Sequence, residues 1–138
     1  GDTAATWSHL RASIPMLLSL GMAGMPRVGA DVGGFFGDPS PELLVRWYQA
    51  AALTPFFRGH AHIETKRREP WLFGEGVTAA IRRAIRLRYR LLPTLYRAFW
   101  EAAETGMPVM RPLFWLDGAE ESREDAFMLG DSLLVHPV

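Results

Sequence analysis

Carboxylate, guanidinium and imidazole groups occur where an apolar or extended segment gives way to a helix or a loop. Asp2 precedes the first helical pattern, Asp31 interrupts an apolar run, and Arg58 and His60 follow a second apolar run. Barrel enzymes carry their reactive groups at the carboxyl ends of their strands, so catalysis or ligand binding is expected at these positions. A carboxylate among apolar residues needs a cationic or hydrogen-bonding partner, which Arg58 or His60 could supply to Asp31.

These residues also have structural interpretations. Asp2 could be the N-cap of the helix that follows it, and Asp31 could belong to a structural ion pair. His60 and His62 are two residues apart, a spacing that metal sites use, but no Asp or Glu stands close in sequence as an obvious third ligand. We therefore expect neither a metal nor a cofactor here.

Aromatic residues lie near these polar groups in sequence. A mixture of rings and polar groups suits stacking on the faces of sugars, although each ring taken alone fits a hydrophobic core as well. The rings concerned are Phe35, Phe36, Phe56, Phe57 and Trp71.

The elements that would position these groups alternate between helix and strand. Ser40 is a predicted N-cap, because Pro41 follows it at the first helical position. Two other prolines, Pro15 and Pro93, should bend or break the helices in which they lie, and Gly106 should end the last helix. Apolar spacing predicts helices over 6–20, 41–51 and 77–104, with Tyr89 and Tyr96 on the buried side of the last, and buried strands over 28–32 and 55–57.

After Gly106 the pattern changes to strands, at 109–115 and 131–138, separated by an acidic turn at 117–125. We place a domain boundary there, with βα units in residues 1–106 and the start of a β domain in residues 107–138. The arginines of the long helix, Arg88 among them, are expected on a solvated or salt-bridged outer surface.

Composition excludes several classes of protein. Lys plus Arg and Asp plus Glu each number 15, so no net charge attracts nucleic acid or anionic lipid, and the apolar stretch 12–26 is too short to cross a membrane. The absence of cysteine leaves the compartment undetermined, with the cytoplasm as a default. At 138 residues the chain is shorter than a complete (β/α)8 barrel, which needs about 250.

Several motifs, in order and over nearly the whole chain, resemble glycoside hydrolase family 31, in its glucosidase II and neutral α-glucosidase branch. They are Gly1-Asp2, Trp7-Ser8-His9-Leu10, Gly29-Ala30-Asp31-Val32-Gly33-Gly34-Phe35-Phe36, Arg46-Trp47-Tyr48-Gln49, Pro55-Phe56-Phe57-Arg58-Gly59-His60-Ala61-His62, Arg67-Arg68-Glu69-Pro70-Trp71, Pro108-Val109-Met110-Arg111-Pro112-Leu113, Leu129-Gly130-Asp131 and Leu134-Val135-His136-Pro137-Val138.

The resemblance implies an α/β fold: the C-terminal part of a (β/α)8 TIM barrel followed by the start of a β-sandwich. It implies a retaining α-glucosidase that removes terminal α-linked glucose from oligosaccharides, with Asp2 as general acid/base. Asp31 and His60 match family positions that hydrogen-bond the sugar, Phe35 matches a wall of the pocket, and Arg58 would lie beside them as an orienting cation.

The family nucleophile, an Asp, would precede Gly1, so we expect the isolated chain to be inactive and its partner to be the remainder of the same barrel. Thr3 stands where the family usually has Asn, and Thr6 replaces the usual Glu or Ala. These departures leave substrate preference more open than the reaction class. The alternatives are a metal-dependent barrel hydrolase that uses His60, His62 and Asp31, and a non-catalytic carbohydrate-binding relative.

Overall fold

The computed structural model describes residues 2–116 and 125–137, which form α-helices and a small antiparallel sheet. Two short 3₁₀ turns lie at Pro70–Phe73 and Leu113–Trp115. None of the helices in the described residues is long and apolar enough to cross a membrane. The elements are α1 (Trp7–Met22), α2 (Pro41–Ala51), α3 (Glu75–Arg90), α4 (Leu92–Thr105), β1 (Met110–Pro112), β2 (Phe127–Leu129) and β3 (Leu133–Val135).

The first two helices begin at side-chain caps. The Ser40 hydroxyl accepts a hydrogen bond from the backbone N–H of Leu43 at 3.2 Å, as its position before Pro41 predicts. At α1 the cap is Thr6, whose hydroxyl accepts from a backbone N–H, so the alternative that Asp2 caps this helix is wrong. Helix α1 also runs through Pro15 without ending there.

The predicted long helix is two helices. Leu91 separates α3 from α4, and Pro93 lies in the first turn of α4, where its missing N–H costs no helical hydrogen bond. Gly106, with a φ of 77°, ends α4. The predicted buried side is partly wrong, because Tyr89 and Tyr96 are exposed and small residues face the core instead. The buried positions of the two helices are Ile81, Ala84, Leu95 and Ala98.

The predicted strands 28–32 and 55–57 run side by side but do not form a continuous ladder. Phe56 N–H donates to the Val28 carbonyl at 2.9 Å, and a single parallel bridge joins Val32 to Gly59. Between these points Gly29 lies so close to the Phe56 carbonyl that a Cβ would stand 2.3 Å from its oxygen. Asp31 and residues 58–62 nevertheless lie at the same end of the two segments, as a parallel arrangement requires.

The C-terminal part is an antiparallel sheet in the order β1-β2-β3. The predicted strand 109–115 is confirmed only as β1, since the chain then turns into a 3₁₀ helix, and β2 was missed. Most of the predicted acidic turn lies outside the described residues. The sheet shares one hydrophobic core with α1 and α4, and the domain boundary at Gly106 stays a prediction. This core contains Ile14, Leu17, Leu18, Leu95, Ala98, Val109, Met110, Phe127, Leu129 and Val135.

Candidate active site

Three segments bring the predicted site residues together: 2–5, 31–37 and 58–62. The second and third are joined by backbone hydrogen bonds, from Val32 N–H to the Arg58 carbonyl at 3.0 Å and from His62 N–H to the Phe35 carbonyl at 2.9 Å. These bonds fix the register of one loop against the other, so side chains far apart in sequence face the same region.

The segment that carries Asp2 is held against the loop 31–37. The Thr3 carbonyl accepts hydrogen bonds from the N–H groups of Phe35 and Phe36, at 2.5 and 3.0 Å, and Ala5 N–H donates to the Phe36 carbonyl at 2.7 Å. Asp2 itself is exposed, at the end of this pairing. Its carboxylate is therefore accessible to a ligand while its backbone position is set by the loop.

Asp31 and Arg58 form an ion pair. Asp31 is 4% exposed, and its Oδ1 accepts a hydrogen bond from Arg58 Nη2 at 2.8 Å, whereas the Arg58 side chain is half exposed. Of the two partners expected for Asp31, Arg58 and His60, it is Arg58 that forms the hydrogen bond. The buried Asp31 carboxylate thus orients the Arg58 guanidinium, half of whose side chain is exposed. A cation held in this way suits the binding of an oxygen-rich ligand.

Phe35 and the two histidines make a small aromatic cluster. The Phe35 ring lies 5.5 Å from the ring of His60 and 5.7 Å from that of His62, and Phe36 lies 5.5 Å from His62. His60 is exposed and Phe35 is half-buried, so the cluster offers an apolar face beside a hydrogen-bonding imidazole. An apolar wall with a few polar groups is typical of small-molecule binding sites.

The loop 31–37 depends on glycine at two turns. Gly33 and Gly34 have φ values of 91° and 84°, a region that side chains with a Cβ rarely adopt. A Cβ at Gly34 would also stand 2.5 Å from Ala5 N. Glycine is therefore required for the segment with Asp2 to approach this loop.

Arg68 is a residue of the site region to which no sequence prediction gave a role. Its guanidinium donates to the carbonyls of Gly33 at 3.1 Å, Gly34 at 2.7 Å and Gly37 at 2.7 Å. Burial lowers the pKa of Arg68, an effect that the nearby Asp38 carboxylate opposes. A signal was available in the sequence, since a glycine-rich loop leaves carbonyls that need a donor, but nothing in sequence indicated which arginine supplies it.

Arg88 is an exception to the prediction that the arginines of the long helix lie on a solvated or salt-bridged outer surface. It is half-buried and donates to the carbonyls of Ala52 at 3.2 Å, Thr54, and Pro55 at 2.7 Å. Burial lowers its pKa. The reason is position: Arg88 faces inward from α3, beside the chain that leaves α2.

Two further observations concern possible metal ligands and the residue next to Asp2. Among residues 2–116 and 125–137, no three His, Cys, Asp or Glu side chains are grouped closely enough to hold a metal ion. Next to Asp2, the Thr3 hydroxyl is buried and makes no hydrogen bond within the described residues. Thr3, one of the two residues that depart from the family pattern, is thus also a buried polar group without a partner in the described part of the chain.

In barrel enzymes, the binding face is built from the loops that follow the parallel strands. The loops of this site follow parallel-paired segments and carry a carboxylate, an ion pair and aromatic side chains, which is this arrangement. The model of the glycosyl hydrolases family 31 TIM-barrel domain matches residues 1–98. The chain belongs to glycosyl hydrolase family 31.

Relatives match along the entire chain. It is 58% identical to a probable glucan 1,3-α-glucosidase of rice, Oryza sativa subsp. japonica, and 58% identical to neutral α-glucosidase C of the mouse, Mus musculus. It spans 15% of the first protein's length and 16% of the second's. A crystal structure of a glucosidase II α subunit with bound Glc1Man2 superposes on the whole chain with a TM-score of 0.95 at 51% identity, and the chain covers 15% of it.

These comparisons confirm the predicted family and fold class. The chain is the C-terminal part of a (β/α)8 barrel followed by the start of a β-sandwich. The roles of Asp2, Asp31, Phe35, Arg58 and His60 stay predictions.

Proposed function

We propose that this chain is part of a retaining α-glucosidase in which Asp2 is the general acid/base. The observation that carries the proposal is the backbone pairing that holds Asp2, with its carboxylate exposed, against the loop of Asp31 and Phe35. The names of the relatives, a glucan 1,3-α-glucosidase and a neutral α-glucosidase, support the activity.

A retaining glycosidase needs two carboxyl groups about 5 to 5.5 Å apart. One attacks the anomeric carbon and the other protonates the departing oxygen, then deprotonates the water that hydrolyses the glycosyl-enzyme intermediate. Asp2 suits the second role because its carboxylate is accessible and the segment behind it is fixed. We propose that the nucleophile is an Asp outside the 138 residues of this chain.

The remaining predicted residues would hold the sugar. In this proposal the Asp31 oxygen that does not bind Arg58 accepts a hydrogen bond from a sugar hydroxyl, and His60 hydrogen-bonds a second hydroxyl. Phe35 covers an apolar face of the ring. The substrate class is an oligosaccharide or glucoside with a terminal α-linked glucose, and the rest of the barrel is the partner that completes the site. We also propose that the barrel ends and the sandwich begins near Gly106.

The acid role of Asp2 makes a prediction about leaving groups. In the full-length protein, Asp2→Ala should lower kcat/KM on an α-linked disaccharide by about 10²- to 10⁴-fold, but much less on an activated aryl α-glucoside, whose leaving group needs no proton. Steady-state kinetics on both substrates measure this difference. Glu104→Ala is the matched control, since Glu104 is an exposed carboxylate at the end of α4.

Azide distinguishes the two carboxylate roles. If Asp2 is the acid/base, azide should accelerate the Asp2→Ala variant by attacking the glycosyl-enzyme intermediate, and the product should be α-glucosyl azide, with retained configuration. A β-glucosyl azide would assign Asp2 as the nucleophile instead. A wild-type protein that binds glucosides without hydrolysing them would replace the proposal with a non-catalytic carbohydrate-binding relative.

A further inference from the structure

Arg68 lies outside the three segments of the site but is bonded to the middle one. Its Nη1 donates to the carbonyls of Gly33 and Gly34, and its Nη2 donates to that of Gly37. Only 10% of the side chain is exposed. These bonds bracket Phe35 on both sides along the chain.

The loop needs such a donor for a physical reason. Gly33, Gly34 and Gly37 all have positive φ values, and glycine in such a loop has more conformational freedom to lose than any other residue. Turns of this kind also leave carbonyls without regular backbone partners, and at the buried Gly33 and Gly34 a carbonyl without a donor is costly. A guanidinium presents five N–H donors in a fixed plane, so one arginine can satisfy three carbonyls at once, which a lysine ammonium cannot match in geometry.

We infer that Arg68 is a positioning residue of the sugar pocket, which fixes the loop 31–37 so that Asp31 and Phe35 keep their places relative to His60 and Asp2. The inference rests on the proposed function, because it gives these residues the task of holding the sugar. Arg68 acts through the loop backbone.

Arg88 offers a matched control. It too is an arginine with a partly buried guanidinium that donates to three backbone carbonyls, those of Ala52, Thr54 and Pro55. Its carbonyls belong to the turn after α2, and none of the predicted site residues lies in that turn. Loss of either arginine removes a comparable set of hydrogen bonds, but only loss of Arg68 frees the loop 31–37.

The test compares Arg68→Met, Arg68→Lys and Arg88→Met in the full-length protein. Hydrogen exchange should become faster in residues 31–37 for Arg68→Met and in residues 52–55 for Arg88→Met. On an aryl α-glucoside, Arg68→Met should lose about 10- to 100-fold in kcat/KM, the scale expected when catalytic groups are displaced by up to an ångström. Arg68→Lys should recover part of this loss, and Arg88→Met should stay near wild type even where its melting temperature falls equally.

Two results would overturn the inference: unchanged exchange in 31–37 for Arg68→Met, or equal kinetic losses for Arg68→Met and Arg88→Met at equal melting temperatures. If Arg68→Met does not fold, Arg68→Lys supplies both readouts, and wild-type exchange and kinetics in that variant would likewise overturn it. A wild-type protein without glucosidase activity would contradict the proposed function, while the exchange measurement would still decide whether Arg68 holds the loop.

Discussion

At the scale of single residues, the Asp31–Arg58 pair is asymmetric. Asp31 is buried, whereas half of the Arg58 side chain reaches solvent. Removal of the arginine leaves a buried carboxylate without its cation, but removal of the carboxylate leaves a guanidinium that water can still solvate. The two partners therefore contribute unequally to stability, although they share one hydrogen bond.

This asymmetry predicts unequal losses of stability. In the full-length protein, Arg58→Met should lower the free energy of unfolding by about 1–3 kcal/mol, the cost of a buried polar group without a partner, and Asp31→Asn should lower it by less. Thermal melting of the two single variants and of the double variant measures the difference. The double variant should be more stable than the sum of the single losses implies. Equal losses with simple additivity would contradict the buried ion pair.

At the scale of elements, the approach of the segment 2–5 to the loop 31–37 depends on Gly34. A Cβ there would lie 2.5 Å from Ala5 N and 2.6 Å from Ala4 C, both backbone atoms that cannot move aside as a side chain would. Gly37 has a similar positive φ, but a Cβ at Gly37 would meet its nearest neighbour, the Ala5 Cβ, only at 3.9 Å. A comparison of substitutions at the two glycines therefore separates the effect of backbone strain from the effect of steric contact.

We therefore expect Gly34→Ala and Gly37→Ala to differ in activity. Both variants incur the strain of a positive φ, about 1 kcal/mol, but only Gly34→Ala should push Asp2 away from Phe35 and lower kcat/KM on an α-linked disaccharide, whose leaving group needs the proton, by about a hundredfold. Steady-state kinetics, with melting temperatures to match stability, provide the measurement. If both variants lost activity equally, strain in the loop would matter and the position of Asp2 would not.

The sequence predicts the start of α2 well and the short barrel strands poorly. Ser40 before Pro41 indicated the start of α2 because a cap acts through neighbouring residues. The segments 28–32 and 55–57 met in isolated contacts because a parallel ladder depends on partners distant in sequence. Strand β2 was missed because its three buried residues lie beside an acidic segment that masked their pattern.

At the candidate site, the need of Asp31 for a partner could be predicted from the sequence, but most of the contacts that hold the loops could not. Asp31 was expected to need a cationic or hydrogen-bonding partner, and in the structure this partner is Arg58. Arg68 and Arg88 donate mainly to backbone carbonyls, which every residue carries, so no pairing of residue types could indicate them. The tyrosines of the long helix were misplaced because aromatic rings can lie on an outer surface, while alanine marks the face that packs closely.

At the scale of the whole molecule, the sheet and the helices share a core across the predicted boundary. Phe127 of β2 is fully buried in the cluster that contains Leu17 of α1 and Leu95 of α4. Contact of this kind couples the stability of the two parts, because a cavity on one side removes packing from the other. The sheet is therefore expected to support the helix that carries the Asp2 segment at its start.

This coupling predicts that a destabilising change in the sheet shortens the half-life of the proposed glucosidase activity. Phe127→Ala should cost about 3–5 kcal/mol and speed the loss of glucosidase activity at elevated temperature in the full-length protein. Leu134→Ala on β3 is the control: it removes an aliphatic side chain that is 61% exposed, so its cost should stay within about 0.5 kcal/mol. Half-lives of activity at one fixed temperature compare the variants. If Phe127→Ala unfolded the sheet, as near-ultraviolet circular dichroism would show, while activity persisted, the two parts would be independent domains despite their shared core.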